Sequence, residues 1–197
     1  ALPYDVMNSE EAREMVKGKP YSFLHVDKAE VDLPVGTDIY SEEVYLKAKE
    51  NMEKLVADGI CKQDEKPCFY IYKQIMNGQS QTGLVGCASI DDYMNNIIKK
   101  HEFTRADKEA DRIRHVDYCD ANTGPIFLTY RENEEISAVI ENWKASHAPV
   151  YDFVTDDGIS NTVWVIDCDE TNAEISKLFG DVDYLYIADG HHRAASA

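Results

Sequence analysis

Apolar residues recur along this chain in two rhythms, and the changes of rhythm outline its elements. Between Ser41 and Asp58, the positions Val44, Ala48, Met52, Leu55 and Val56 keep the three-to-four spacing of one helical face, and Asp58-Gly59 supplies a stop. Nearer the start, Asn8 and Glu11 have capping-box spacing for a helix from Ser9 to about Lys17, closed by Gly18 and Pro20. Ser22-Phe23-Leu24-His25-Val26 reads as a strand, and residues 27–40, with Pro34, Gly36 and several acids, as a loop. The period then shortens. Phe69-Tyr70-Ile71-Tyr72 and Leu84-Val85-Gly86-Cys87 are strand-like and flank Asn77-Gly78, the dipeptide favoured in two-residue hairpin turns.

Residues 91–103 carry no decisive pattern. A helix is expected over about 104–118, with Thr104 and Asp107 near its start and Ala106, Ala110, Ile113 and Val116 towards the core. Pro125 to Tyr130 reads as a strand and Glu134 to His147 as a helix. Tyr151 to Val154 and Thr162 to Ile166 form a second hairpin around Asp156-Asp157-Gly158. Thr171 and Glu174 have capping-box spacing for a helix ending at Gly180. Trp143 and Trp164 fall at core positions. A buried strand, Tyr184 to Ala188, runs into Asp189-Gly190-His191-His192-Arg193, after which a helix begins.

Hairpins interleaved with helices imply an α+β fold of mixed sheets with flanking helices. A soft boundary near residue 95 would separate an N-terminal α+β subdomain, 1–95, from a second domain, 96–197. The missing initiator Met and the helix cut short at Ala197 read as a piece of a longer chain.

Composition narrows the classes. Against 20 basic residues stand 37 acidic ones, a net charge of −17, which repels nucleic acid and disfavours DNA or RNA as a partner of this stretch. No apolar run approaches the ~20 residues of a bilayer crossing, so no membrane role is expected. The five cysteines form no C-x-x-C pair. A disulfide framework or zinc knuckle is therefore disfavoured, a reducing cytoplasm fits, and the thiols read as small buried hydrophobes.

The junction at Asp189 concentrates chemistry. Gly190 lets the backbone bend and a ligand approach. The first N–H groups of the following helix are free to meet an anion, and His191, His192 and Arg193 add side-chain donors. Asp189 is placed to hold Mg²⁺ or accept a proton from a hydroxyl. A second concentration lies at His101-Glu102. It is not the zinc-protease pattern H-E-x-x-H, because residue 105 is arginine. On the helix that follows, Arg105, Lys108, Arg112 and His115 are spaced to share one face.

The stretch from Tyr186 to Ala195 resembles the D-G-H-H-R-x-x-A signature of the ParB/sulfiredoxin-like superfamily, whose members include chromosome-partitioning ParB proteins, sulfiredoxin and free serine kinases. Within it, the chain is similar to a family of domain-of-unknown-function proteins labelled SpoOJ-regulator-like. Pro3-Tyr4-Asp5-Val6 resembles that family's opening, with Leu2 in place of a proline. His101-Glu102-x-Thr104 with Asp111-Arg112 resembles its H-E-x-T…D-R block, and Asn122-x-x-Pro125-Ile126-Phe127 its N-x-S-P-I-F, with Thr123 and Gly124 altering the middle.

The resemblance implies a phosphate-binding strand-turn-helix near the C-terminal end and a free L-serine kinase-like phosphotransferase. The donor would be pyrophosphate or ADP/ATP, with Mg²⁺ at Asp189 and a small serine-like hydroxyl acceptor. Glu102 or Asp189 would be the catalytic carboxylate, with Glu102 favoured as base. Gly190, His191, His192, Arg193, Arg112, Lys108, His101 and Thr104 would hold phosphate. Asn122 belongs to a matched block, and Tyr4-Asp5 would close over the site. The other expectations are a nucleotide-binding ParB/SpoOJ-like regulator without small-molecule turnover and, less favoured, a redox protein using a cysteine beside the turn.

Overall fold

The structure is a computed structural model that describes residues 6–197; Tyr4 and Asp5 lie outside the described residues. In chain order the elements are α1 (Ser9–Val16), α2 (Leu24–Asp27), a 3₁₀ turn (Ala29–Asp32), α3 (Glu42–Ala57), β1 (Phe69–Met76), β2 (Gln79–Val85), α4 (Ile90–Met94), β3 (Ile98–Lys99), α5 (Ala106–Cys119), β4 (Phe127–Thr129), α6 (Glu134–Ser146), β5 (Tyr151–Val154), β6 (Ser160–Ile166), α7 (Asp169–Gly180), β7 (Leu185–Asp189) and α8 (His191–Ala195). The protein is α+β, with mixed sheets and flanking helices.

The chain divides into two units, and each is built from separated stretches of sequence. The first comprises residues 1–63, 100–128 and 187–197; the second comprises 64–99 and 129–186.

The second unit contains an antiparallel sheet in the order β2-β1-β6-β5. Its first hairpin follows from Asn77 and Gly78, whose φ values of 51° and 78° are the paired left-handed conformations of a type I′ turn; Met76 then faces Gln79 across the two-residue loop. Ile71, Trp164 and Ile166 of the sheet pack with Ile136, Ile140 and Trp143 of α6 and Ile175 of α7. Both indoles are satisfied: Trp143 Nε1 donates to Val165 O and Trp164 Nε1 to His147 O, each at 3.1 Å. A shorter sheet has the order β3-β7-β4, with Ile98 and Lys99 parallel to Leu185 and Tyr186.

In the first unit, α1 carries the expected capping box, with Asn8 Oδ1 accepting from Glu11 N–H at 2.9 Å and Glu11 Oε2 from Asn8 N–H at 2.9 Å. Several expectations are corrected. Residues Ser22 to Val26 do not form a strand; residues 24–27 are helical, and Val26 and Asp27 both donate N–H to Phe23 O. The carbonyls of this turn are met by side chains, Asn51 on His25 O and His115 on Val26 O, so no neighbouring strand is required. The expected loop at 27–40 contains the 3₁₀ turn, on which buried Glu30 pairs with Lys28 at 3.1 Å and accepts from Ser9 Oγ at 2.8 Å.

Helix α3 buries Val44, Tyr45, Ala48 and Leu55 and leaves Val56 exposed, and the buried Tyr45 hydroxyl reaches Asp111. Helix α7 begins at Asp169 and not at a Thr171 cap; Asp169 and Glu170 fall in its first turn, where the helix dipole favours acids. The cysteines are all free, but none is fully buried, contrary to the expectation of small core residues.

The largest departure is α5. Its buried residues are Asp111, Arg112 and His115, while Ala106, Ala110 and Ile113 are exposed. Of the apolar stripe expected to face inward, only Val116 is half-buried. Polar partners explain the inversion. Tyr45 OH donates to Asp111 Oδ1 at 2.7 Å, Arg112 donates to Asp111 Oδ2 through Nε at 3.0 Å and Nη2 at 2.9 Å, and His115 Nε2 donates to Val26 O at 3.0 Å. No helix among the described residues is long and apolar enough to cross a membrane.

Candidate functional site

Strand β7 delivers the chain to Gly190, whose φ of 88° turns it into α8. This left-handed conformation is accessible to glycine at little cost. The missing Cβ also makes room for a neighbour: a Cβ on Gly190 would stand 3.1 Å from Arg193 Nε. Arg193 folds back across the turn, and its Nη2 donates to Asp189 Oδ2 at 2.5 Å while Nη1 donates to Pro125 O. Gly124 gives the same side chain passage, since a Cβ there would lie 2.9 Å from Arg193 Cδ. Arg193 therefore ties the Asp189 turn to the 122–125 segment, and its side chain is only 13% exposed.

Beside the turn lies the block before α5. The Arg105 backbone N–H donates to His192 Nε2 at 3.1 Å, which makes that nitrogen the acceptor and fixes the ring proton on Nδ1. His191 Nδ1 is 3.5 Å from Glu102 Oε2, and His101 Nε2 is 3.8 Å from Glu102 Oε1. The two imidazoles meet edge to face with centroids 4.5 Å apart. Glu102 and His101 are open to solvent, whereas His191 is buried and its Nε2 has no hydrogen-bond partner. Residues nearly ninety positions apart thus form one cluster within the first unit.

Arg193 also borders a small cleft of about 20 Å³, lined among others by Asp27, Arg112, His115, Asn122 and Thr123. That is room for about one water. Asp27 accepts from Thr123 Oγ1 at 2.8 Å, and burial raises its carboxyl above the ordinary 3.8, opposed by the Thr123 hydrogen bond and by the charges of His115, Arg112 and Arg193. Burial, helped by Arg112, lowers His115 below 6.5.

The structure brings His101, Glu102, His191 and His192 together, and places Asp189, Gly190 and Arg193 on the adjoining turn. Arg112 and Asn122 line the cleft. The four-residue basic stripe divides: Arg112 and His115 point inward, Arg105 pairs with exposed Asp107 at 2.6 Å, and Lys108 donates to Tyr40 OH at 2.8 Å. Thr104 Oγ1 donates to Glu109 Oε2 at 2.7 Å. Sequence reading missed Asp27, Thr123 and the shared cluster of His101, Glu102 and His191. The adjacent His-Glu and His-His pairs were the signal for the cluster, but no spacing rule links them.

An α+β protein with a histidine- and carboxylate-bearing turn is the class that fold and site define. The chain belongs to the family described as Protein of unknown function (DUF1015), whose model matches residues 1–197. No curated protein and no solved structure matches it.

Proposed function

We propose that the protein is a phosphotransferase related to the ParB/sulfiredoxin-like superfamily, moving phosphate from pyrophosphate or ADP/ATP to the hydroxyl of a small serine-like acceptor. The observation that carries this reading is the setting of Glu102: a carboxylate open to solvent, between His101 and His191, beside a turn that resembles a phosphate-binding signature.

In this reading Glu102 accepts the hydroxyl proton. The acceptor oxygen forms a bond to the terminal phosphorus as the bond to the leaving phosphate, or to the nucleotide that loses its terminal phosphate, breaks. Such transfer needs positioning and cations more than covalent help from the protein. His101 and Arg105 are the exposed groups that would spread the developing charge. Arg193 acts as a positioning residue, holding the turn through Asp189 and Pro125.

Asp189 pairs with Arg193 through Oδ2 and is 66% exposed, so it would hold Mg²⁺ as one carboxylate together with oxygens of the phosphate donor. No step is assigned to that ion.

The test incubates the full chain with L-serine, magnesium and each donor in turn, following phosphoserine by phosphorus NMR. Phosphoserine from one donor, lost in Glu102→Gln, supports the reading. No product from any donor overturns it, and nucleotide binding without product would favour the regulator instead.

A further inference from the structure

We infer that His101, Glu102 and His191 form a binding site for one divalent transition-metal ion of the zinc, manganese or iron kind. The inference shares Glu102 with the proposed phosphotransfer but does not rest on it, because it is argued from ligand type and geometry alone.

One potential ligand atom from each of the three side chains lies within 4.8 Å of the others, the only such group among the described residues. The Glu102 oxygens stand 3.5 Å from His191 Nδ1 and 3.8 Å from His101 Nε2. Two ligands each about 2.1 Å from a tetrahedral ion are roughly 3.4 Å apart. The two Glu102–His separations, made by different carboxylate oxygens, are within a few tenths of an ångström of that spacing, and the remaining separation, within 4.8 Å, closes by rotation of the exposed His101 and Glu102 side chains.

Two imidazoles with one carboxylate are the donor set of zinc and other late first-row ions, whereas magnesium and calcium prefer oxygen throughout. Three protein ligands leave at least one coordination position for water or a substrate oxygen. The exposure of His101 (60%) and Glu102 (63%) puts that position on the solvent side.

His191 is the buried member of the trio, 6% exposed. Its Nδ1 faces Glu102 across 3.5 Å, too far for a good hydrogen bond, so that nitrogen is open to an ion between the two side chains. An ion there would place the ring proton on Nε2, the buried nitrogen that has no hydrogen-bond partner. His191 is held in a buried position just after the Gly190 turn, while His101 and Glu102 are exposed and free to close on the ion.

The experiment is calorimetric titration of the chelator-stripped full chain with ZnCl₂, MnCl₂ and MgCl₂, together with the visible spectrum of the Co²⁺-loaded protein. One zinc or manganese equivalent per chain is expected, with no heat from magnesium. His101→Gln and Glu102→Gln, both exposed and expected to fold, should each weaken binding by about tenfold or more. His147→Gln should leave it unchanged. Absence of binding by any transition ion, or equal binding in the two ligand variants, overturns the inference. Metal binding without phosphoserine formation would leave this site standing and sink only the kinase reading.

Discussion

Arg193 bends back over a single helical turn to place its guanidinium on Asp189, Nη2 to Oδ2 at 2.5 Å, and it does so across two glycines. In the bare sequence Gly190 reads as space for a ligand; in the structure that space holds the arginine. Gly190→Ala meets two costs, a left-handed φ of 88° and contact with Arg193. A loss of about 1–2 kcal/mol in urea unfolding is expected. Gly124 is not left-handed, and a Cβ there meets only a flexible side chain at 2.9 Å, so Gly124→Ala should cost less. Equal losses at the two positions would contradict this account.

Tyr45→Phe removes the only hydroxyl that reaches Asp111 Oδ1 among the described hydrogen bonds and leaves a buried carboxylate oxygen short of a donor. Thermal or urea unfolding should show a loss of about 1–3 kcal/mol. A change below ~0.5 kcal/mol would mean that water replaces the hydroxyl without penalty.

Buried His115 and half-buried Asp27 give the stability curve opposite slopes. His115 has a folded-state pKa depressed below 6.5, so the unfolded chain binds its proton more readily. Its contribution is present above pH 6.5 and is lost as pH falls through and below that value. Asp27 has a folded-state pKa raised above 3.8, so its contribution is full below that value and declines as pH rises through the elevated pKa. Asp27→Asn, in which the amide oxygen can still accept from Thr123, should remove the second decline. His115→Gln should flatten the first. Melting temperature against pH for the two variants checks both signs.

Thiol chemistry offers a simple check on burial. Burial pushes the Cys119 thiol up to about 11, whereas Cys87 is exposed. Iodoacetamide at pH 8, read by peptide mass spectrometry, should label Cys87 early and Cys119 among the last, because the thiolate is the reacting form. Comparable rates would mean that the helix end at Cys119 opens readily.

Glu102→Gln separates chemistry from folding. Its side chain is 63% exposed, so unfolding should shift by less than ~0.5 kcal/mol. Phosphotransfer, if Glu102 takes the proton, should fall by about 10²–10⁴-fold. A variant that retains activity would move the base elsewhere.

Where local chemistry decides the backbone, the sequence was readable. Asn77-Gly78 specifies its hairpin, and Asn8 with Glu11 specifies the start of α1, because each signal is complete within four residues. Reading failed where distant partners decide. Leu24 and Val26 alternate like a strand, yet both are buried from a helical turn whose carbonyls are taken by Asn51 and His115. In α5 the hydrophobic pattern pointed to the wrong face, since Asp111 and His115 have buried partners on Tyr45 and Val26 that no periodicity reveals. The strand-turn-glycine core of the candidate site was legible at Asp189 and Gly190. The meeting of His191 with Glu102 was not, because it depends on how the first unit closes.

The discontinuous build of the first unit sets a timetable for synthesis. Its segments are residues 1–63, 100–128 and 187–197, so α1 and α3 leave the ribosome long before the turn that completes their unit. At roughly 5–20 residues per second, the interval from Glu102 to His191 is several seconds or more. During that wait the exposed carboxylate has no second imidazole, and the ion-holding trio cannot exist on a nascent chain until its last member has been translated.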